Sequence, residues 1–211
     1  MTGKQSLRIP QPYRDRVLAR GRAKYLLGLL SRLSIYLRDE LIRRYARLRG
    51  ARIGRNSILT WGLARKANAN LTIGEDTVVE AVDLDLRDKI EIGDHVVINR
   101  DVTILRVSHH IDGDTRYGTK YYPPLSIEPY SWLATGCRIL PGVTQIAAGT
   151  VVGAYSVLVG NTQPNGVYAG NPAILRRLHD TRFEELVVCS LRGGDFMYYL
   201  QAKSSGNAIS G

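Results

Sequence analysis

The sequence predicts a mainly β fold in which residues 51 to 171 wind as a parallel β-helix, between an N-terminal amphipathic helix and a short C-terminal helix. Three observations support this fold. Aliphatic residues recur every six positions, small or branched residues recur at set distances from them, and the rhythm has one long interruption. Hydrophobic residues are 44% of the 211 residues and aromatic residues only 8%, so aliphatic side chains must fill most of the core.

The aliphatic repeat marks the positions that we predict to face inward. They are Ile53, Leu59, Ile73, Val79, Ile92, Ile98, Ile104, Ile127, Leu133, Ile139, Ile146, Val152 and Leu158. A small or branched residue stands four positions later, as at Ser57, Thr77 and Cys137. A period of six fits neither a helix nor a single strand, but it is typical of a hexapeptide solenoid. Six extended residues span about 20 Å, so three such sides close one coil and residue i is expected to stack on residue i+18.

The repeat stops between residues 106 and 126, where turn-forming residues replace the aliphatic positions. Because the interior of a solenoid is filled with side chains, function is expected on its loops or between subunits. His109 and His110 stand at the start of this interruption. Imidazole can remove a proton from a hydroxyl group near neutral pH, so both histidines are candidates for a general base.

Several strings of the sequence are similar to those of one enzyme family. They are "IEIGDHVVINRDVTI", "SHH", "ILPGV", "GTVVGAYSVL" and "VYAGNPAILRRL", and together they cover roughly residues 51 to 178. The chain resembles the hexapeptide-repeat acyltransferases, which have a left-handed β-helix and include galactoside, maltose and polysaccharide O-acetyltransferases. The resemblance implies a homotrimer that transfers an acetyl or short acyl group from CoA to a sugar hydroxyl, as in polysaccharide or glycolipid biosynthesis.

The resemblance also implies roles for individual residues. His109 takes the position of the family's catalytic histidine, and His110 follows where an aspartate often stands. A base histidine needs an acceptor for its other ring nitrogen, and counting along the adjacent coil favours Asp83 or Asp85 for this role. The other interpretation, that these carboxylates are solvated turn residues, is the more favoured of the two. Val79 replaces an asparagine that sugar acetyltransferases carry in this region.

The family binds CoA along its C-terminal coils, between neighbouring subunits. The matching positions here are Trp132, Thr135, Ala154, Arg176 and Arg177. CoA carries a 3′-phosphate and a pyrophosphate, which guanidinium groups bind through paired hydrogen bonds. The two arginines could instead be helix-end charges or contacts of the trimer. We expect acetyl-CoA as co-substrate and no metal.

Loop residues are candidates for binding the acceptor. Arg116, Tyr117, Lys120 and Tyr121 could line a sugar pocket, because tyrosine offers both an apolar ring and a hydroxyl group. Packing of the loop on its neighbour explains the same residues equally well. Cys137 holds an inward position of the repeat, so we predict a core residue and not a nucleophile.

The two ends of the chain differ from the repeat. Residues 1 to 55 hold 15 Lys/Arg and 3 Asp/Glu, whereas the remainder carries a balance of −2. The basic extension, residues 1 to 50, could cap the solenoid or rest on an anionic membrane through residues 13 to 49. A role in binding nucleic acid is not expected, because no motif supports it. In residues 172 to 211 we predict a helix from Pro172 onward and a flexible tail from residue 201.

Two other functions stay open at this stage. An N-acetyltransferase acting on an amino sugar or drug would use the same base chemistry, and a non-catalytic hexapeptide scaffold would use none. The two cysteines do not make a disulfide framework, which favours a reducing compartment and hence the cytoplasm. Contact with the inner face of a membrane would fit a lipid-linked acceptor. The apolar run of residues 25 to 30 is too short to span a bilayer.

Overall fold

The computed structural model describes residues 9–110, 118–180 and 187–204. Within these residues, three parallel sheets wind around one apolar core, and helices pack around the N-terminal coils. The predicted mainly β solenoid with flanking helices is confirmed.

The strands, numbered in chain order, form three faces. Face A holds β1 (Arg52–Ile53), β3 (Leu71–Ile73), β6 (Ile90–Ile92), β11 (Leu125–Ile127) and β14 (Gln145–Ile146). Face B holds β2 (Ile58–Leu59), β4 (Val78–Val79), β7 (Val97–Ile98), β12 (Trp132–Leu133), β15 (Val151–Val152), β17 (Gly166–Gly170) and β18 (Ala173–Leu178). Face C holds β5 (Asp83–Leu84), β8 (Thr103–Ile104), β13 (Arg138–Ile139) and β16 (Val157–Leu158). A separate pair, β9 (Ser108–His109) and β10 (Lys120–Tyr121), interrupts the coils.

The core contains all thirteen aliphatic residues of the repeat, each of them buried. Their stacking distance differs from the prediction: Ile73 pairs with Ile92, and Ile127 with Ile146, at 19 residues. The predicted spacing of 18 is therefore too short. The physical reason is the turn from face C to face A, which is longer than the other turns, as between Ile139 and Ile146.

The corners of the solenoid depend on a position that the repeat leaves variable. The third residue after an inward aliphatic adopts positive φ at Asn56, Asp76, His95, Asp101, Tyr130 and Tyr155. This left-handed conformation is accessible to Asn, Asp and His more easily than to most residues. The corner positions are therefore constrained by backbone geometry.

The described helices are α1 (Gln11–Leu18), α2 (Arg22–Leu48), α3 (Trp61–Lys66) and α4 (Phe196–Ser204), with a short 3-10 helix at Val188–Arg192. Helix α3 follows β2, where later coils place a face C strand, and the Thr60 hydroxyl caps it by accepting from the N–H of Leu63. The C-terminal half of α2 places Ile42 and Ala46 in the solenoid core. The inner side of α2 therefore covers the first coil, which agrees with the predicted role of the N-terminal extension as a cap of the solenoid.

The predicted helix from Pro172 onward is wrong. Residues 173–178 form β18, which pairs antiparallel with β17 at the end of face B. The last strand of a sheet exposes unpaired backbone N–H and C=O groups, and the returning chain satisfies them. The C-terminal helix lies later, at α4. Residues 201–204 of the predicted tail belong to this helix, and the rest of the tail lies outside the described residues.

A second apolar cluster joins the two ends of the chain. It contains Tyr13 of α1, Tyr25 of α2 and Tyr199 of α4. The buried carboxylate of Asp195 accepts hydrogen bonds from the Tyr13 hydroxyl and from Arg32. Among the described helices, none has the length and apolar character needed to cross a membrane.

Candidate active site

The inserted loop begins at β9 and ends at β10, and we call this pair of strands the neck of the loop. His109 lies opposite Lys120 in this pair, and the N–H of His110 donates to the carbonyl of Thr119 at 3.1 Å. The side chain of His109 is partly buried, whereas His110 is exposed and packs against Tyr121 with ring centroids 4.6 Å apart. The pairing therefore holds His109 at the neck of the loop.

Arg106 fastens this neck to the solenoid. Its side chain is fully buried, and its guanidinium donates to the carbonyls of Pro123 at 2.8 Å and Pro124 at 3.2 Å, where the loop returns. It also donates to the carbonyls of Leu140 and Pro141 on the next coil. Burial lowers the pKa of Arg106 from its usual value. This one side chain therefore ties both ends of the loop to the neighbouring coil.

The two predicted carboxylates have different surroundings. Asp85 accepts from the Arg87 guanidinium at 2.6 Å and from the N–H of Arg106 at 3.2 Å. The hydrogen bonds from Arg87 hold the pKa of Asp85 below its usual value. Asp83 is exposed. Asp85 thus supports the first residue of the loop, and an orienting role of either carboxylate toward His109 stays a prediction.

A cavity of about 910 Å³ lies on the outer side of face B, beneath residues 187–192. Two of the predicted CoA-binding residues, Trp132 and Arg177, line it. They belong to one row across the sheet, because Trp132 pairs with Val151, Val151 with Val167, and Val167 with Arg177. The structure therefore places these two predicted CoA-binding residues on one surface.

Of the other predicted CoA-binding residues, Thr135 and Ala154 follow the face B strands β12 and β15, and Arg176 belongs to β18. The carbonyl of Thr135 accepts from the N–H of Tyr155 at 3.0 Å, so Thr135 and the exposed Ala154 lie on adjoining coils. The exposed Arg176 donates to the carbonyl of Ala169 at 3.3 Å, on the coil that follows. Thr135 and Ala154 thus lie beside the large, exposed side chain of Tyr155, and Arg176 contacts the coil that follows.

A hydrogen-bonded chain that the sequence pattern does not predict lies along the same cavity. The Trp132 indole N–H donates to Asn99 at 2.8 Å, Asn99 donates to Glu80 at 3.2 Å, and Glu80 pairs with Arg192 at 2.9 Å. Val79, at the position discussed for the family asparagine, is buried in the core. The sequence does contain a signal for two of these residues. Glu80 and Asn99 each directly follow an inward aliphatic residue, at a position where the repeat often has a small residue.

Two histidines outside the loop also line this cavity. His95 stacks on Tyr130 with ring centroids 4.8 Å apart and the rings nearly parallel. The Nε2 atom of His179 lies 2.7 Å from the carbonyl oxygen of Gly149. The cavity therefore combines aromatic rings, arginines and a carboxylate on one face.

The predicted base and the predicted CoA residues lie on different sides of the solenoid. His109 stands between face C and face A, while Trp132 and Arg177 belong to face B. The residues that line the cavity, as far as the chain is described, do not include His109. Lys120 and Tyr121 are exposed beside His109, whereas the predicted Arg116 and Tyr117 lie outside the described residues.

Cys137 is a core residue, as predicted. Its side chain is fully buried, and burial raises the pKa of its thiol from 9.0 to about 12, so the nucleophilic thiolate is disfavoured. Over residues 9–110, 118–180 and 187–204, no group of three His, Cys, Asp or Glu side chains is placed to hold a metal ion.

Comparison with known proteins identifies the family. No family model matches the sequence. The solved hexapeptide-repeat acetyltransferase VCA0836 of Vibrio cholerae has a similar fold, with a TM-score of 0.54 and 22% identity over 78% of this chain and 97% of that one. The putative colanic acid biosynthesis acetyltransferase WcaF of Escherichia coli is 36% identical over 132 residues, which are 62% of this chain and 71% of WcaF. The chain belongs to the hexapeptide-repeat acyltransferases.

This hexapeptide-repeat acyltransferase has further relatives. Galactoside O-acetyltransferase of Lactococcus lactis is 32% identical over 126 residues, 59% of this chain. The match spans only 55% of that enzyme's length. VCA0836 in complex with acetyl-CoA is 25% identical, with a TM-score of 0.55 over 81% of this acyltransferase and 91% of that chain. The family membership predicted from the repeat and its motifs is thus confirmed.

Proposed function

We propose that this acyltransferase moves an acetyl group from acetyl-CoA to a sugar hydroxyl, in the synthesis of a polysaccharide or glycolipid. The observation that carries the proposal is the 36% identity to WcaF, a putative colanic acid biosynthesis acetyltransferase. The similarity to VCA0836, solved with acetyl-CoA, supports the donor. The position of His109 at a fixed loop neck supports the chemistry.

In the proposed reaction, His109 acts as general base. The imidazole takes the proton of the acceptor hydroxyl while the hydroxyl oxygen attacks the thioester carbonyl carbon. The negative charge on the carbonyl oxygen is stabilised by backbone N–H groups. When the C–S bond breaks, the thiolate of CoA leaves and receives the proton from the imidazolium. General base catalysis of this kind contributes about 10²- to 10⁴-fold to the rate.

The proposed working form is a homotrimer. His109 and the face B cavity lie on different sides of one chain, so the loop neck of one subunit must meet face B of another to complete a site. Hexapeptide solenoids are prisms, and three prisms packed around one axis can place such sides together. Arg176 and Arg177 then bind the CoA phosphates.

The proposed acceptor site lies beside His109. Lys120 and Tyr121 are exposed at the neck, and an exposed tyrosine ring can stack on a sugar. Arg116 and Tyr117 extend this proposal into the loop. The sugar is either soluble or carried by a lipid. Both cysteines lack a disulfide partner, which supports a cytoplasmic location.

The test is an acceptor screen with acetyl-CoA that follows CoA release and product mass. Mono- and oligosaccharides are offered to the wild type, His109→Ala and His110→Ala. We expect His109→Ala to lose at least about 100-fold in kcat and to retain acetyl-CoA binding, whereas His110→Ala keeps most turnover. The reverse order of activities would reject His109 as the base. Failure of the wild type to bind acetyl-CoA in a thermal-shift assay would reject the enzyme function.

A further inference from the structure

A row of apolar side chains runs along the outer side of α2. Its members follow one another at spacings of three or four residues, which places them on one side of a helix. They are Leu26, Leu30, Leu33, Leu37, Leu41, Tyr45 and Leu48. All except the partly buried Leu33 are exposed, and Leu48 is 87% exposed. We call this row the leucine seam.

Apart from Tyr45, whose ring packs edge-on against Trp61 of α3, the seam is not the side of α2 that packs on the protein. The opposite side of the helix contributes the buried residues Tyr25, Asp39, Ile42, Arg43 and Ala46. A surface helix usually turns its apolar side inward and its polar side to water. Helix α2 has apolar residues on both sides, so the inner side explains its place in the fold and leaves the seam unexplained.

The surroundings of the seam are basic. Helix α2 contains seven Lys/Arg and two Asp/Glu, a balance of +5, and all the basic residues except the buried Arg43 and Arg32, which pairs with Asp195, are exposed. The two acidic residues are already bound, because Asp39 pairs with Arg38, and Glu40 pairs with Arg43 and Arg44. Arg20 and Arg22, at the end that α1 joins, are also exposed. An apolar row with basic flanks is therefore the surface that α2 offers to solvent.

We propose that the leucine seam lies on an anionic lipid bilayer, with α2 parallel to the membrane plane. Leucine side chains enter the headgroup region, and the arginines bind lipid phosphates at its edge. A two-fold contact between the seams of two copies fits less well, because it would bring two helices of balance +5 together. The inference goes beyond acyl transfer and does not depend on it.

The test uses the full-length protein and sedimentation with vesicles. Vesicles of phosphatidylcholine alone are compared with vesicles that also contain phosphatidylglycerol, at low and high salt. We expect the wild type to sediment with the anionic vesicles and to be released by salt, since the headgroup attraction is screened. Absence of binding to the anionic vesicles, or equal binding to both vesicle types, would refute the proposal.

A matched pair of double variants examines the seam itself. Leu30→Glu with Leu41→Glu adds two charges to the seam, and Val82→Glu with Val159→Glu adds two at exposed apolar residues of the solenoid. We expect at least tenfold weaker vesicle binding for the seam variant and wild-type binding for the control. Equal losses would reject the seam as the contact. A smaller oligomer of the seam variant in analytical ultracentrifugation, without any vesicle binding by the wild type, would assign the seam to a second copy.

Discussion

The indole N–H of Trp132 donates to the side-chain oxygen of Asn99 on the preceding coil, at 2.8 Å. Asn99 in turn donates to Glu80 one coil earlier, at 3.2 Å. Trp132 is half exposed over the face B cavity, so these bonds restrict a ring that would otherwise rotate. The three residues come from three successive coils and form one wall of the cavity.

Asn99→Ala should lower the affinity for acetyl-CoA more than it lowers the stability of the fold. A neutral hydrogen bond contributes about 0.5–1.5 kcal/mol, so we expect KM for acetyl-CoA to rise about three- to tenfold. The measurement is steady-state kinetics with each substrate varied. Asn70→Ala is the control, because Asn70 bonds the carbonyl of Leu86 away from the cavity. An unchanged KM in Asn99→Ala would mean that Trp132 needs no orientation.

Arg176→Ala and Arg177→Ala should weaken binding of the donor through its phosphates. Loss of a charge-assisted hydrogen bond costs about 1.5–3 kcal/mol, so KM for acetyl-CoA is expected to rise more than tenfold. Kinetics with acetyl-CoA that lacks the 3′-phosphate distinguish an arginine that binds this phosphate from one that binds the pyrophosphate. The arginine that binds this phosphate should, when replaced, abolish the preference of the enzyme for the complete donor. Arg52→Ala, an exposed arginine of the first coil, serves as control. A preference retained in both variants would exclude the two arginines from 3′-phosphate binding.

Arg106→Met should destabilise the protein strongly. The substitution removes the donor for the partly buried carbonyls of Pro123 and Pro141 and for the carbonyl of the exposed Pro124. A hydrogen bond from a charged donor contributes about 1.5–3 kcal/mol, and we expect a loss of about 3 kcal/mol in the free energy of unfolding. Urea unfolding measures it. Arg138→Met, at an exposed position of β13, should stay within about 0.5 kcal/mol of the wild type. Equal stability of the two variants would contradict the anchoring role.

Cys137 should make the protein sensitive to alkali. Its pKa is about 12 in the folded chain against 9.0 as the ordinary value. Because the folded pKa is raised, the stability that it contributes is complete below pH 9 and is lost as the pH rises toward 12. Cys137→Ala should therefore lose less stability per pH unit in this range, by up to about 1.4 kcal/mol. Urea unfolding between pH 9 and pH 11 measures both slopes, and identical slopes would contradict the argument.

The coils were predictable because their signal is local. Each inward position needs an aliphatic side chain because that position is buried. The six-residue period alone was therefore enough to predict that residues such as Ile92 and Leu158 belong to the core. The stacking distance was predictable only in part. The seven-residue step between Ile139 and Ile146 indicates one longer turn, but the expected distance of 18 assumes that all turns are equally long. The returning strand β18 stands where the sequence predicts a helix, because its pairing with β17 is a tertiary contact that the local sequence does not mark.

The sequence by itself determined the solenoid, its inward positions, the place of the interruption and the candidacy of His109. Tertiary structure alone decided that Glu80, Asn99 and Trp132 meet, that Arg106 is buried at the loop neck, and that His109 and the cavity lie on different sides. The reason is physical. Hydrophobic periodicity states which side of a strand faces the core, whereas contacts between residues 19 or 33 apart depend on the summed length of every turn between them.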